Sequence, residues 1–153
     1  MDRPLKIGIV SPYDYSAFGG VNDHILNLAE QFKISGHNVK VLAPNSNHVK
    51  SGEDVISLGG VIPIPSGGAI AKVSLSIWLR SKIQTILEEE QFDIIHLHEP
   101  FAGAITMSVL SVLPSLNAKV FATFHTLDGT PLYKIGTKIG AKSIALRYIN
   151  RLH

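Results

Sequence analysis

The chain has 153 residues, a formal net charge of +2 at pH 7 and no cysteine. This length suits one domain with a sizeable core, and a charge so near neutral, with no Lys/Arg block, argues against nucleic acid as a partner. The lack of cysteine excludes a disulfide scaffold, a thiolate zinc site and a cysteine nucleophile, and it fits a reducing cytosol.

Met1-Asp2-Arg3-Pro4-Leu5 leads into the apolar run Leu5 to Val10 with no signal-like region before it. That run reads as a buried first strand. No apolar stretch approaches the roughly 20 residues of a membrane span, so any membrane contact is expected to be peripheral. Ser11-Pro12-Tyr13 and Gly19-Gly20 follow, then Val21, Ile25, Leu28, Ala29 and Phe32 on one face of a helix closed by Ser35-Gly36. Val39 to Ala43 is a second strand, residues 44–54 a polar loop, and Val55 to Leu58 and Val61 to Pro65 short extended pieces. Ser66-Gly67-Gly68 is read as opening a helix from about Ala69 to Glu90, with Leu75, Leu79, Ile83 and Ile86 as its stripe. Phe92 to Leu97 is a strand, Phe101 to Leu113 a helix ended near Pro114, and Lys119 to Phe124 a strand. A loop from His125 to Tyr133 precedes a last helix, roughly Ile139 to Leu152, with Ala141, Ile144, Ala145, Tyr148, Ile149 and Leu152 on one face. Strands alternating with helices imply an α/β domain, a mainly parallel sheet wound on both faces. The pattern halts at a helix with no following strand, which reads either as part of something larger or as a terminal helix docking on the sheet.

In such sheets ligands bind beyond the carboxyl ends of the strands. Three polar clusters fall there: Pro12-Tyr13-Asp14 with Gly19-Gly20, His96 to Pro100, and Phe124-His125-Thr126. A glycine pair at a helix start brings unpaired N–H donors and a partial positive charge close to a phosphate or diphosphate; it serves equally to make a turn. There is no Walker A loop and no Gly-x-Gly-x-x-Gly, which argues against a nicotinamide or flavin cofactor. His96 and His98 share a strand face at a metal-ligand spacing, but the leading reading is that they line a polar cleft, with packing of at least one of them next and metal ligation a runner-up. His125 ends a strand, as a base or hydrogen-bond donor would. Glu99 suits either the cleft or the positive end of a helix. On the helix expected from about Ala69 to Glu90, Ile77 and Trp78 lie off the apolar stripe near Lys72, Arg80 and Lys82. This is the pattern of a helix resting on an anionic membrane surface, or of a wide core helix with solvated lysines.

Taken together, Ser11-Pro12-Tyr13, Gly19-Gly20-Val21-x-x-His24, Gly36-His37-x-Val39, Val41-Leu42-Ala43-Pro44, Pro63-Ile64-Pro65, Phe92 to Pro100 and Ala122 to Thr126 resemble the amino-terminal domain of family 4 glycosyltransferases, above all the phosphatidylinositol mannosyltransferases. The resemblance implies one half of a GT-B fold of two Rossmann-like halves, covering residues 1–153 as the acceptor-side domain, with the carboxy-terminal donor-binding half absent. It implies a retaining hexosyltransferase with no cofactor and no metal, using a nucleotide sugar (GDP-mannose or a UDP-sugar) and a lipid or polar acceptor at an anionic membrane surface. The protein would be cytoplasmic and peripheral at the inner membrane face. By matching motif, Gly19 and Gly20 meet the donor diphosphate and His125 lies beside the transferred sugar. Tyr13, Asn22, Lys72 and Thr126 approach the acceptor, and His98 and Glu99 line the cleft. Lys72, Trp78, Arg80 and Lys82 form the membrane surface. Phe18 stands where close relatives often have proline. The rival expectations are a non-catalytic module or subunit completed by a separate donor half, and a metal hydrolase using His96 and His98.

Overall fold

The computed structural model describes residues 3–46, 52–60, 62–66, 69–73, 79–113 and 116–125, with the backbone alone at 62–66 and 69–73. Seven strands and three helices are described. In chain order they are β1 (Lys6–Val10), α1 (Gly20–Ile34), β2 (Asn38–Ala43), β3 (Val55–Ser57), β4 (Ile62–Ser66), β5 (Ala69–Val73), α2 (Leu79–Glu90), β6 (Ile94–His98), α3 (Ala104–Val112) and β7 (Lys119–Thr123). Five strands form one sheet in the order β3-β2-β1-β6-β7, every neighbouring pair parallel.

Successive side chains on a strand point to opposite faces, and the sequence fills both. Ile7 and Ile9 of β1 join Val39, Val41 and Ala43 of β2 under Ile25 and Ala29 of α1. Val10, Leu42, Ile95 and Leu97 face the other way, against Leu79, Ile83 and Leu87 of α2 and Ile105, Val109 and Leu110 of α3. Both faces are therefore covered, which is why β1, β2 and β6 read as nearly continuous apolar runs. At the sheet's amino end Glu90, the last residue of α2, forms an ion pair with Lys6 at 2.8 Å and accepts from Lys40 at 2.7 Å. Asp93 pairs with Arg3 and accepts from the Lys6 N–H at 2.8 Å. These contacts anchor the end of the sheet opposite the polar clusters.

One element departs from the sequence reading. Of the helix expected from Ala69 the structure describes Leu79–Glu90, and Ala69–Val73 is instead strand β5, antiparallel to β4 with Ser66 opposite Ala69 and Ile62 opposite Val73. The two glycines between Ser66 and Ala69 are the residues that a two-residue hairpin favours, and they outweigh the helix propensity of Ala69-Ile70-Ala71-Lys72. On the remaining helix the buried stripe is Leu79, Ile83 and Leu87, with Ile86 partly buried against it. Leu75, the loop after His125 and the last helix expected at 139–152 lie outside the described residues.

Candidate functional site

The strand order reverses at β1: the chain winds from β1 to β2 and β3, then returns to place β6 and β7 on the other side. Open α/β sheets bind ligands at such a switch point, beyond the carboxyl ends of the strands. The residues found there are the loop after β1, the start of α1, and the ends of β6 and β7.

α1 starts with no side-chain cap on its first turn; Gly19 is extended, at φ 167° and ψ 149°, and the first helical bond runs from the Asp23 N–H to the Gly19 carbonyl at 2.9 Å. The N–H groups of Gly20, Val21 and Asn22 thus have no acceptor within the helix. A side chain built on Gly19 or Gly20 would meet nothing within 4 Å. Packing among the described residues does not require either glycine, so what the pair provides is open backbone.

The loop before this turn is fixed from both sides. Asn22, which is buried, donates from Nδ2 to the carbonyls of Asp14 and Ala17, each at 2.8 Å. Asp14 is fully buried and accepts from the N–H and hydroxyl of Ser16 and of Ser46. Burial alone would raise the Asp14 pKa, but these hydrogen bonds prevail and hold it below the ordinary carboxylate value. The Asn22 amide therefore holds the 14–17 loop against α1, and Asp14 ties that loop to the end of β2. Tyr13, half-buried, donates its N–H to the Ser11 hydroxyl at 3.1 Å.

Strand parity gathers the histidines. His96 and His98 alternate with Ile95 and Leu97, so they face α1 while the leucine and isoleucine face α2 and α3. His96 and His98 have ring centroids 4.4 Å apart, and His96 Nε2 is 2.7 Å from the Thr123 hydroxyl on β7. His98 is fully buried, and its Nδ1 lies 2.8 Å from Nε2 of His125. The two rings are tilted by only 17°, with centroids 5.1 Å apart. That is the separation of two imidazoles nose to nose along one N–H···N hydrogen bond. The Glu99 carboxylate accepts the His125 backbone N–H at 2.5 Å, and Glu99, also fully buried, sits at φ 47° just before Pro100. A left-handed glutamate before proline is a strained backbone, held here by bonds from the Glu99 N–H to the Thr123 carbonyl and from the Ala102 N–H to the Glu99 carbonyl. From α1, exposed His24 completes the group, its ring 5.6 Å from that of His98 and 5.2 Å from that of His125.

Burial, with the neighbouring rings adding to it, pushes the His98 pKa down to about 3. His96 is lowered by burial and then by His24 and His125. His125 is lowered by burial and by His24, against a smaller upward pull from Glu99. These rings are neutral at neutral pH, so each offers one donor and one acceptor.

The sites inferred from sequence divide as follows. Gly19, Gly20, Tyr13, His98, Glu99 and His125 converge at the switch point. Thr126, Ile77 and Trp78 lie outside the described residues. Lys72 is on β5 and not on the helix that carries Arg80 and Lys82, because of the hairpin. A single basic helix bearing all three is therefore corrected to basic residues on two elements. Arg80 and Lys82 are exposed in the first turn of α2. His24 was visible in the sequence only as part of the Gly-Gly-Val-x-x-His run; its position one turn into α1, facing the end of β6, is what brings it to the others. Among the described residues the group of three able to hold a metal ion is His24, His98 and His125, while His96 is bonded through Nε2 to Thr123.

Comparison with known proteins shows the family and the fold. The profile of Glycosyltransferase Family 4 matches residues 18–153. The chain is 39% identical over 122 residues to a phosphatidyl-myo-inositol mannosyltransferase of Mycolicibacterium smegmatis, covering 80% of this chain and 31% of that protein. It is 40% identical over 122 residues to the protein of the same name from Mycobacterium leprae, covering 80% of this chain and 32% of the other. The chain thus spans about a third of the length of the curated relatives it matches. Among solved structures, the catalytic domain of starch synthase IV from Arabidopsis thaliana, bound to ADP and acarbose, superposes with a TM-score of 0.52 at 15% identity, over 81% of this chain and 34% of that one. This likeness shows the fold, a Rossmann-like α/β domain.

Proposed function

The chain belongs to glycosyltransferase family 4, and from that premise we propose that it is the acceptor-side half of a retaining hexosyltransferase. Its donor would be a nucleotide sugar, GDP-mannose or a UDP-hexose, and its acceptor a lipid carrying a polyol head group such as phosphatidylinositol. The names of the relatives support the lipid and the mannose. The observation that carries the reading is the meeting, at one switch point, of an uncapped helix start with an open Gly19-Gly20 backbone and of a neutral His125 braced by His98 and Glu99.

In the transfer, the acceptor hydroxyl oxygen bonds to the anomeric carbon as the carbon–oxygen bond to the diphosphate breaks, and the hydroxyl proton passes to the leaving diphosphate. Charge develops on that leaving group. The N–H groups at the start of α1 and the helix dipole are placed to stabilise it, fixed in advance by the Asp14–Asn22–Ser46 bonds. His125 would hydrogen-bond the sugar. Tyr13, Lys72 and Thr126 would line the acceptor side, with exposed Phe18 at its lip. Donor recognition would fall mainly to a second half, as the greater length of the relatives suggests. Among the described residues no helix is long and apolar enough to cross a membrane. We place the protein at the cytoplasmic membrane face, held by Lys72, Arg80, Lys82 and Trp78.

The test is transfer by this domain joined to a donor half, with phosphatidylinositol as acceptor. A donor such as His125 that tightens on the transition state is worth about 2–4 kcal/mol, so His125→Ala should lower turnover by roughly two orders of magnitude or more while the domain remains folded. Normal turnover by His125→Ala refutes the assignment.

A further inference from the structure

We propose that His24, His98 and His125 form a site for a borderline divalent cation, Zn²⁺ first among them. One ring nitrogen from each lies within 4.8 Å of the others, and the three ring centroids stand 5.1, 5.2 and 5.6 Å apart. Three imidazoles bound tetrahedrally to zinc at about 2.0–2.1 Å have centroids about 5.2 Å apart. The rings thus already occupy the volume of a three-histidine site, and only their nitrogens must re-aim.

The changes needed are small and fall on side chains able to make them. The facing nitrogens of His98 and His125, now 2.8 Å apart, must part to the roughly 3.3 Å that separates tetrahedral ligands. The proton between them moves to a nitrogen pointing away, so both rings stay neutral and the charge brought to the site is that of the ion itself. His98 Nε2 is buried and has no hydrogen-bond partner among the described residues, so the present arrangement already leaves one polar atom of the group unsatisfied. His24 is exposed on α1 and can swing inward by its own torsions. The three ligands come from three elements that the fold fixes independently: α1, the end of β6 and the end of β7. Because the donors are nitrogen throughout, the site selects zinc, cobalt, nickel or copper over magnesium or calcium. A fourth position is left for water or a phosphate oxygen. If His125 serves transfer as proposed above, the cation withdraws it from the sugar, so micromolar zinc inhibits the enzyme.

The experiment titrates the metal-free chain with Zn²⁺ by calorimetry and with Co²⁺ by visible absorption. Expected are one ion per chain with micromolar affinity and the intense bands of tetrahedral cobalt. His24→Gln, on an exposed position, should retain the wild-type melting temperature, lose the bands and weaken binding by at least about tenfold, as the loss of even an outer-shell partner can do; His125→Gln should do the same. No binding, or binding unchanged in His24→Gln, overturns the site. A parallel transfer assay on the joined protein separates the two ideas: zinc bound at this site without inhibition supports the site and counts against the role given to His125.

Discussion

His125 is held at two points, through its ring by His98 and through its backbone by Glu99, and only the first orients the imidazole. His98 then acts as a positioning residue. His98→Phe fills the volume but removes the ring–ring bond, and should lower turnover of the joined protein about three- to tenfold, the worth of one such bond. His98→Asn can place a polar atom near Nδ1 and should recover part of the loss. Equal turnover in all three proteins would show that the bond only packs. Asp14 works at the same scale but on stability. Because its folded pKa lies below the usual value despite burial, its contribution is present above the unfolded pKa of about 3.9 and is lost as the pH falls through the folded value. Asp14→Ala should therefore cost about 1–3 kcal/mol at neutral pH, and the difference from wild type should shrink in acid. Urea unfolding at neutral pH and at the lowest pH where wild type stays folded checks both. A penalty that grows on acidification contradicts the assignment.

Elements differ in how far the sequence disclosed them. β1, β2 and β6 were legible as nearly continuous apolar runs, buried on both faces, and α1 by apolar residues at period 3.6 that bury one face. The 69–73 segment was not, since Ala, Ile, Ala and Lys suit a helix, and its strand state depends on pairing with Ile62-Pro63-Ile64-Pro65 across two glycines. Prolines two apart place both missing N–H groups on the same side of β4, and a two-stranded ribbon has an outer side that needs none. Local propensity could not weigh that pairing. In the same way strand topology put the His96–His98 and His125 clusters at one edge, but not the direct His98–His125 contact or the place of His24 beside it, because register and helix docking are non-local. Residue identity inside an element can still be decisive: a Cβ on Gly8 in β1 would sit 3.0 Å from the ring of Phe92, which is itself buried. Gly8→Ala should destabilise the domain by about 1–3 kcal/mol through overpacking, and adding Phe92→Leu should restore part of it. Melting curves of the two single variants and the double variant measure this, and additive losses would rule out the steric cause.

For the molecule as a whole, one end of the sheet carries the candidate chemistry, and two elements carry basic residues that were first read as one. Lys72 belongs to the β4–β5 hairpin, whereas Arg80 and Lys82 are exposed at the start of α2; the hairpin leads into that helix, so their charges stay close along the chain. The Lys82 amino group lies 3.4 Å from the Ser57 carbonyl at the end of β3, with no carboxylate partner among the described contacts. A net charge of only +2 gives no general attraction to anionic surfaces, so any binding must come from local clustering. Each Lys or Arg near an anionic lipid surface contributes about 1 kcal/mol, and salt screens the effect. The chain should therefore bind vesicles containing phosphatidylserine or phosphatidylinositol and release them as salt rises. Lys72→Ser with Arg80→Ser should weaken binding by roughly one to two orders of magnitude. Because the two substitutions lie on different elements, each alone should give about half the effect in free energy. If Arg80→Ser alone abolishes binding and Lys72→Ser does nothing, the helix acts without the hairpin. Equal affinity for neutral and anionic vesicles removes the electrostatic basis of the membrane proposal altogether.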